Sequence, residues 1–299
     1  MGIVNRIFYY GLLVPISLLP FPLLYALSDF LAAMLYYVVG YRKKVVMRNL
    51  ERSFPEKSRE ERIRIAKKFY RHFCDLTLET VKIFTISEKA ARERVTYFDV
   101  DVVNKYFAEG RSVIVAMAHY NNWEMIAVTV DRAIEHQACA IYKPLTNKYF
   151  DRKILESREK YGIKMIHNGN VLRELLRMRN EGIKTASHFL IDQAPSFHST
   201  SHWMTFLNQD TAVMVGTEAI SKKLNFAVVF LDVQKPRRGH YTARFIDVAS
   251  SPQSWGADEI TEKVTRMLED YIKEKPEFWL WSHNRWKRTR ETAKTVLER

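Results

Sequence analysis

Val113–Glu124 reads VIVAMAHYNNWE. Six apolar residues in a row, most of them valine, isoleucine or methionine, have the texture of a strand buried on both faces. His119 comes off the carboxyl end of that run. Glu124 follows with four residues between, where the next helix should begin. Layered α/β proteins hold ligands outside the carboxyl ends of their strands, and a helix amino terminus offers free N–H groups that favour negative charge. A histidine placed there can take a proton from an attacking hydroxyl, while the carboxylate holds the imidazole in one tautomer. By itself the His-x4-Glu spacing fits equally well a histidine that only caps a helix.

Outward from this stretch the same alternation continues. Val113–Ala118, Ala138–Tyr142, Ile183–Ile191, Ala227–Val233 and Tyr241–Ile246 read as strands. Trp123–Glu135, Tyr149–Tyr161, Val171–Asn180, Thr217–Leu224 and Asp258–Lys273 read as helices between them. Glu60–Phe84 reads as an amphipathic helix, with Ile65, Phe69, Phe73, Leu76 and Ile83 at helical spacing. Strands alternating with helices predict an α/β fold, a central mixed sheet flanked by helices. The chain has no internal repeat and no long linker.

The amino terminus is different. Ile7–Ser28 carries no charged residue, Asp29 interrupts, and Phe30–Tyr41 continues apolar. About 20 apolar residues cross a hydrocarbon core as a helix. Pro15, Pro20 and Pro22 favour a kinked span, or a hairpin lying partly in the interface, over one straight helix. Residues 1–41 are therefore expected to be a membrane-anchoring helical segment and 42–299 the remaining domain. Between Arg42 and His72 stand twelve basic and four acidic residues, an excess of eight within a net charge of +13. Such a cluster beside an apolar segment attracts anionic lipid headgroups and places the following domain on the cytoplasmic side.

With 299 residues, 47% hydrophobic and 27% charged, the chain has ample material for a core and is not a disordered protein. Its apolar content is concentrated at one end, which excludes a multi-span transporter. Cys74 and Cys139 form neither a disulfide framework nor a metal pattern and read as buried bystanders in a reducing compartment. The sequence lacks a GxSxG elbow, a P-loop, a GxGxxG turn and an HExxH helix. His198 and His202 lie four apart near Asp192, but no helical pattern holds both rings, so polar loop residues are the simpler reading and no metal is expected. The positive charge also fits a membrane-attached nucleic-acid-binding protein, but no zinc finger, helix-turn-helix or RNP-like block accompanies it.

Six blocks in order resemble the bacterial lipid A biosynthesis acyltransferases, the lauroyl and myristoyl transferases within the lysophospholipid acyltransferase superfamily. The apolar segment is followed by RNLERSFP (Arg48–Pro55), and HYNNWE (His119–Glu124) is similar to the family's HxGNWE. Tyr142–Gly162 matches a YRPxxNPxxD…R…G block through Tyr142, Pro144, Asn147, Asp151, Arg158 and Gly162. IDQAP (Ile191–Pro195), FLNQDTAVMVG (Phe206–Gly216) and PEFWLWSHNRWKRTR (Pro276–Arg290) complete the set. Two positions depart: Asn121 stands where many members have glycine, and Lys148 where proline is usual.

The resemblance implies transfer of a fatty acyl chain from an acyl-carrier-protein thioester, or acyl-CoA, to a hydroxyl of a membrane glycolipid at the bacterial inner membrane, with no metal or organic cofactor. The two departures leave open a different acceptor: a lysophospholipid, an aminolipid or a phosphoinositide mannoside. In this reading His119 is the general base and Glu124 orients it. Backbone N–H groups near Asn121–Trp123 hold the oxyanion, with Asn122 and Trp123 beside the substrate. Lys143 and Arg158 meet phosphate, or Arg158 orders the site as an ion pair. Asp192 and Gln193 shape the pocket, and the aromatic amino-terminal helices line the acyl groove. Trp281, His283, Arg285, Trp286 and Lys287 read as an aromatic-basic, mainly structural tail. Nucleic acid is not an expected partner.

Overall fold

The computed structural model describes residues 2–196 and 202–292. Its strands are β1 (Val95–Phe98), β2 (Val113–Met117), β3 (Gln137–Tyr142), β4 (Lys164–His167), β5 (Thr185–Leu190), β6 (His202–Phe206), β7 (Gln209–Val213), β8 (Ala227–Arg237) and β9 (His240–Ala249). Seven form one mixed sheet in the order β1-β9-β8-β2-β5-β3-β4. β8, β2, β5, β3 and β4 run parallel, while β9 is antiparallel to β8 and parallel to β1. β6 and β7 make a separate hairpin whose two-residue turn, Leu207-Asn208, has φ of 49° and 61°. That is the primed turn that matches the twist of paired strands.

Helices cover both faces of the sheet. One apolar core gathers around Leu268, Trp279 and Trp281, the other around Val115, Met125 and Tyr241. Every residue of β2 is buried, as its unbroken apolar run requires. The expected helix over Trp123–Glu135 is shorter: it runs Trp123–Ala127 and is followed by a 3-10 turn at Val130–Arg132. Thr129 ends it, because its hydroxyl bonds back to the Met125 carbonyl at 2.8 Å beside two β-branched valines. The short edge strands β1 and β4, the β6–β7 hairpin and the helices Glu88–Arg92 and Asp101–Ala108 are additions to the expected elements.

At the amino terminus two apolar helices, Gly2–Leu18 and Phe21–Val39, meet at a break where Leu19 and Pro20 turn extended, with ψ of 138° and 149°. Phe21–Val39 is long and apolar enough to cross a membrane. Its outward side chains, Leu23, Phe30, Val38 and Val39 among them, are exposed. The inward side is docked on the long helix Arg59–Lys82, which starts from a capping box between Ser58 and Glu61. Lys82 donates to the Ser17 and Leu19 carbonyls at 2.8 Å each, satisfying the helix break.

Asp29, the charge that interrupts the apolar run, pairs with Arg238 and Arg71 at 2.8 Å each. Arg238 also reaches the buried Asp75 at 2.6 Å, and Ser28 donates to Asp75 at 2.7 Å. Arg238 thus fastens the apolar helix to both the long helix and the β8–β9 hairpin. Arg238→Ala removes the guanidinium from Asp75 but leaves Lys235 at 3.2 Å as a second cation, so the loss is about 2 kcal/mol, that of a hydrogen bond to a charged group. Urea unfolding of the detergent-solubilised protein checks this, and an unchanged midpoint contradicts it.

Candidate active site

β2 and β5 are parallel neighbours with Met117 opposite Leu190, and the ladder continues through Ile191 N–H to the Met117 carbonyl at 2.9 Å. Two residues beyond that pair, His119 and Asp192 come level. The Asp192 carboxylate accepts the His119 backbone N–H at 3.0 Å and lies 2.9 Å from His119 Nδ1. Its other oxygen accepts the Trp279 indole N–H at 2.8 Å. Burial by itself would raise this carboxyl. The charge and hydrogen bonds of His119, with the Trp279 donor, outweigh it and hold the group down at about 2. An ionised Asp192 accepts from Nδ1–H, so the lone pair of the neutral ring sits on Nε2. Gln193 Nε2 stands 3.1 Å from that atom.

The imidazole's carboxylate is therefore Asp192, which corrects the expectation that Glu124 orients it. Glu124 turns to Arg158, which grips it with two bonds of 2.9 and 2.6 Å, and it accepts the Trp123 indole N–H at 3.1 Å. Trp123 packs edge-on against the His119 ring at 4.7 Å between centroids. Among the described residues, Glu124 is linked to the imidazole through Trp123. Arg158, expected either at phosphate or in an ion pair, is in an ion pair here.

Asn122, expected beside the substrate, is fully buried. Its carbonyl oxygen caps the next helix at Met125 N–H, 2.8 Å, and its amide donates to Glu79 at 2.6 Å. It builds the turn and does not face the cavity. Asn121 has φ of 57°, the left-handed region, and donates to the Val233 carbonyl from its side chain at 2.6 Å. This is why glycine suits the position, and why asparagine, which tolerates that region best among larger residues, replaces it. Its backbone N–H is committed to the Phe278 carbonyl at 3.0 Å, so it is removed from the expected oxyanion donors. Lys148 opens the helix Lys148–Glu159 behind its cap Asn147, the first-turn place that proline also fills well.

His119, Trp123, Glu124, Lys143, Arg158 and Gln193 line a cavity of about 610 Å³. The rest of its wall is mostly apolar: Met117, Leu190, Ala140 and Met165 from the sheet, Ile126 and Ala127 after Trp123, Ile154 and Leu155 from Lys148–Glu159. The sheet and these helices, not the amino-terminal helices, line this groove. Sequence reasoning missed Trp279, whose alternation with Trp281 in WLW was the available signal. From the tail, His283 accepts the Ala194 N–H at 3.3 Å, and burial pushes its imidazole down to about 4. Arg285 is buried and donates to the Ala212 carbonyl. His202 sits between Asp258 and Glu262, at 3.1 and 2.9 Å, while His198 lies outside the described residues. Cys74 and Cys139 are free and buried.

At these parallel strand ends a histidine–carboxylate pair thus opens on a cavity whose wall is mostly apolar. The sequence profile described as bacterial lipid A biosynthesis acyltransferase matches residues 3–288, so the chain belongs to that family and is an acyltransferase. It is 24% identical over 281 residues to the lipid A biosynthesis palmitoleoyltransferase of Escherichia coli K12, covering 93% of this chain and 89% of the relative. Over 278 residues it is 21% identical to the lipid A biosynthesis lauroyltransferase of the same organism, with the same coverage of each chain.

The Glu124 side chain is 11% exposed. Arg158→Ala strips it of its fork, with an expected loss of roughly 3 kcal/mol in thermal or urea unfolding. Arg158→Lys restores only part, because an ammonium cannot supply two parallel N–H bonds. Full recovery with lysine would contradict the bidentate role.

Proposed function

We propose that this protein transfers a fatty acyl chain from an acyl-carrier-protein thioester to a hydroxyl of a membrane glycolipid, in a late step of lipid A assembly. The observation that carries the reading is the His119–Asp192 pair opening onto the apolar cavity. His119 Nε2 takes the proton of the acceptor hydroxyl, which displaces the Gln193 amide from that atom. The oxygen attacks the thioester carbonyl carbon, and the tetrahedral intermediate collapses by expelling the thiolate. The imidazolium then returns its proton to the thiolate, so charge and atoms balance. Asp192 favours the imidazolium as it forms. The apolar wall takes the acyl chain, and exposed Lys143 at the same cavity suits a phosphate of donor or acceptor.

In this reading residues 1–41 anchor the enzyme in the inner membrane and the basic stretch that follows keeps residues 42–299 on its cytoplasmic face, near anionic headgroups and an acidic carrier protein. The departures Asn121 and Lys148 favour no other acceptor lipid, since each serves a local backbone need away from the cavity wall.

The test is acyl transfer from carrier-protein and coenzyme A thioesters of graded length to a precursor glycolipid, read by mass spectrometry. The wild type adds one acyl chain, with the carrier-protein thioester preferred. His119→Ala loses the transfer while still folding, with an unfolding midpoint lowered by the loss of the Asp192 partner, and Asp192→Asn slows it by roughly 10²- to 10⁴-fold by freeing the wrong tautomer. Near-normal transfer by His119→Ala removes this mechanism.

A further inference from the structure

Glu79 is wholly buried, one turn before the end of the long helix, and takes no part in the chemistry above. Three side chains donate to its carboxylate, each from a different part of the fold. Tyr25 of the apolar helix donates to Oε1 at 2.8 Å. Asn122, which caps the helix after His119, donates to Oε2 at 2.6 Å, and Tyr241 of β9 donates to the same oxygen at 2.6 Å. No lysine or arginine forms an ion pair with it among the described residues. The approach of Tyr25 is itself built for: its hydroxyl lies where a Cβ on Gly239 would fall, in the β8–β9 turn. The Arg238 guanidinium stacks over the Tyr25 ring at 4.5 Å.

Building on the acyl-transfer reading above, we propose that Glu79 is a positioning residue that couples the seating of the apolar helix to the His119 turn, so that full activity requires that helix to be docked. The physical chain is short. Asn122 sets the turn by capping at Met125 and by its bond to Glu79. Its neighbour Asn121 stands in the left-handed region, and Trp123 packs on the imidazole. A buried carboxylate that loses one donor keeps the full cost of its desolvation and draws harder on the others. Undocking Tyr25 therefore pulls on Asn122 and moves the turn that aims His119. The turn supplies one side of the acyl cavity, through Trp123, Glu124, Ile126 and Ala127, while the sheet and the helix Lys148–Glu159 supply most of the rest, so donor binding changes less than turnover. A bilayer that holds the apolar helix in place is the natural partner of this coupling.

The experiment uses the full chain in phospholipid nanodiscs, with Tyr25→Phe, Glu79→Gln, the pair together, and Glu79→Gln combined with Asn122→Asp. Tyr25 touches neither His119 nor the cavity wall. Tyr25→Phe is nevertheless expected to lower kcat by about tenfold to a hundredfold, with KM for the acyl donor held within about twofold, since small misplacements of a catalytic group act on kcat. In the Glu79→Gln background, Tyr25→Phe should add little, because the two act through one network. Glu79→Gln with Asn122→Asp exchanges donor and acceptor across the bond and keeps a helix cap, so it should recover much of the lost kcat. A second readout needs no substrate: amide hydrogen exchange over Tyr120–Ala127 should quicken in Tyr25→Phe.

Wild-type exchange in that segment, or wild-type kcat in Tyr25→Phe, overturns the coupling. A fall in stability with additive kinetic effects and no rescue by the exchange variant does so as well. A wild-type protein that transfers no acyl group from either thioester overturns the acyl-transfer reading instead, while the exchange measurement still decides the link between Tyr25 and the turn.

Discussion

The registered pairing of β2 with β5 puts an imidazole and a carboxylate side by side although they are 73 residues apart in the chain. In parallel strands the residues beyond paired carboxyl ends are held level by the ladder itself. The chain then spends several buried groups on keeping Asp192 ionised and aimed: the His119 backbone N–H, the imidazole N–H and the indole of Trp279. The carboxy-terminal segment is drawn into the site by the same need, since Trp279 reaches Asp192, His283 meets Ala194 and the Phe278 carbonyl fixes Asn121.

What the sequence made legible was local. The buried run VIVAMA and the alternation after it announced an α/β layer, and the block from His119 to Glu124 marked the strand end that matters. The partner of the imidazole was not legible. Glu124 was near in sequence and of the right type, whereas Asp192 depends on a register between strands that no local pattern encodes. Asn122 looked like a polar residue offered to a ligand, and only its burial shows it to be a structural cap. Asn121 was legible as standing in a glycine position, but the left-handed backbone that explains it was not.

The same contrast holds at the amino terminus. Its apolar composition and three prolines were enough to expect a broken helical segment, and Gly2–Leu18 and Phe21–Val39 have that form. Asp29 read as an interruption. In the fold it is an attachment point, one half of a set of bonds through Arg238, Arg71 and Asp75 that docks the apolar helix on the domain. A charge in an apolar helix is costly unless paired, and here the pairing sets which side of the helix faces inward.

The central claim is that Asp192, and not Glu124, holds the His119 ring with its free lone pair on Nε2. Nitrogen-15 spectra of histidine-labelled protein test it most directly. The account predicts that the neutral form of the His119 ring carries its proton on Nδ1, perturbed in Asp192→Asn and little changed in Glu124→Gln. A ring protonated on Nε2, or one that responds to Glu124→Gln and ignores Asp192→Asn, would contradict it.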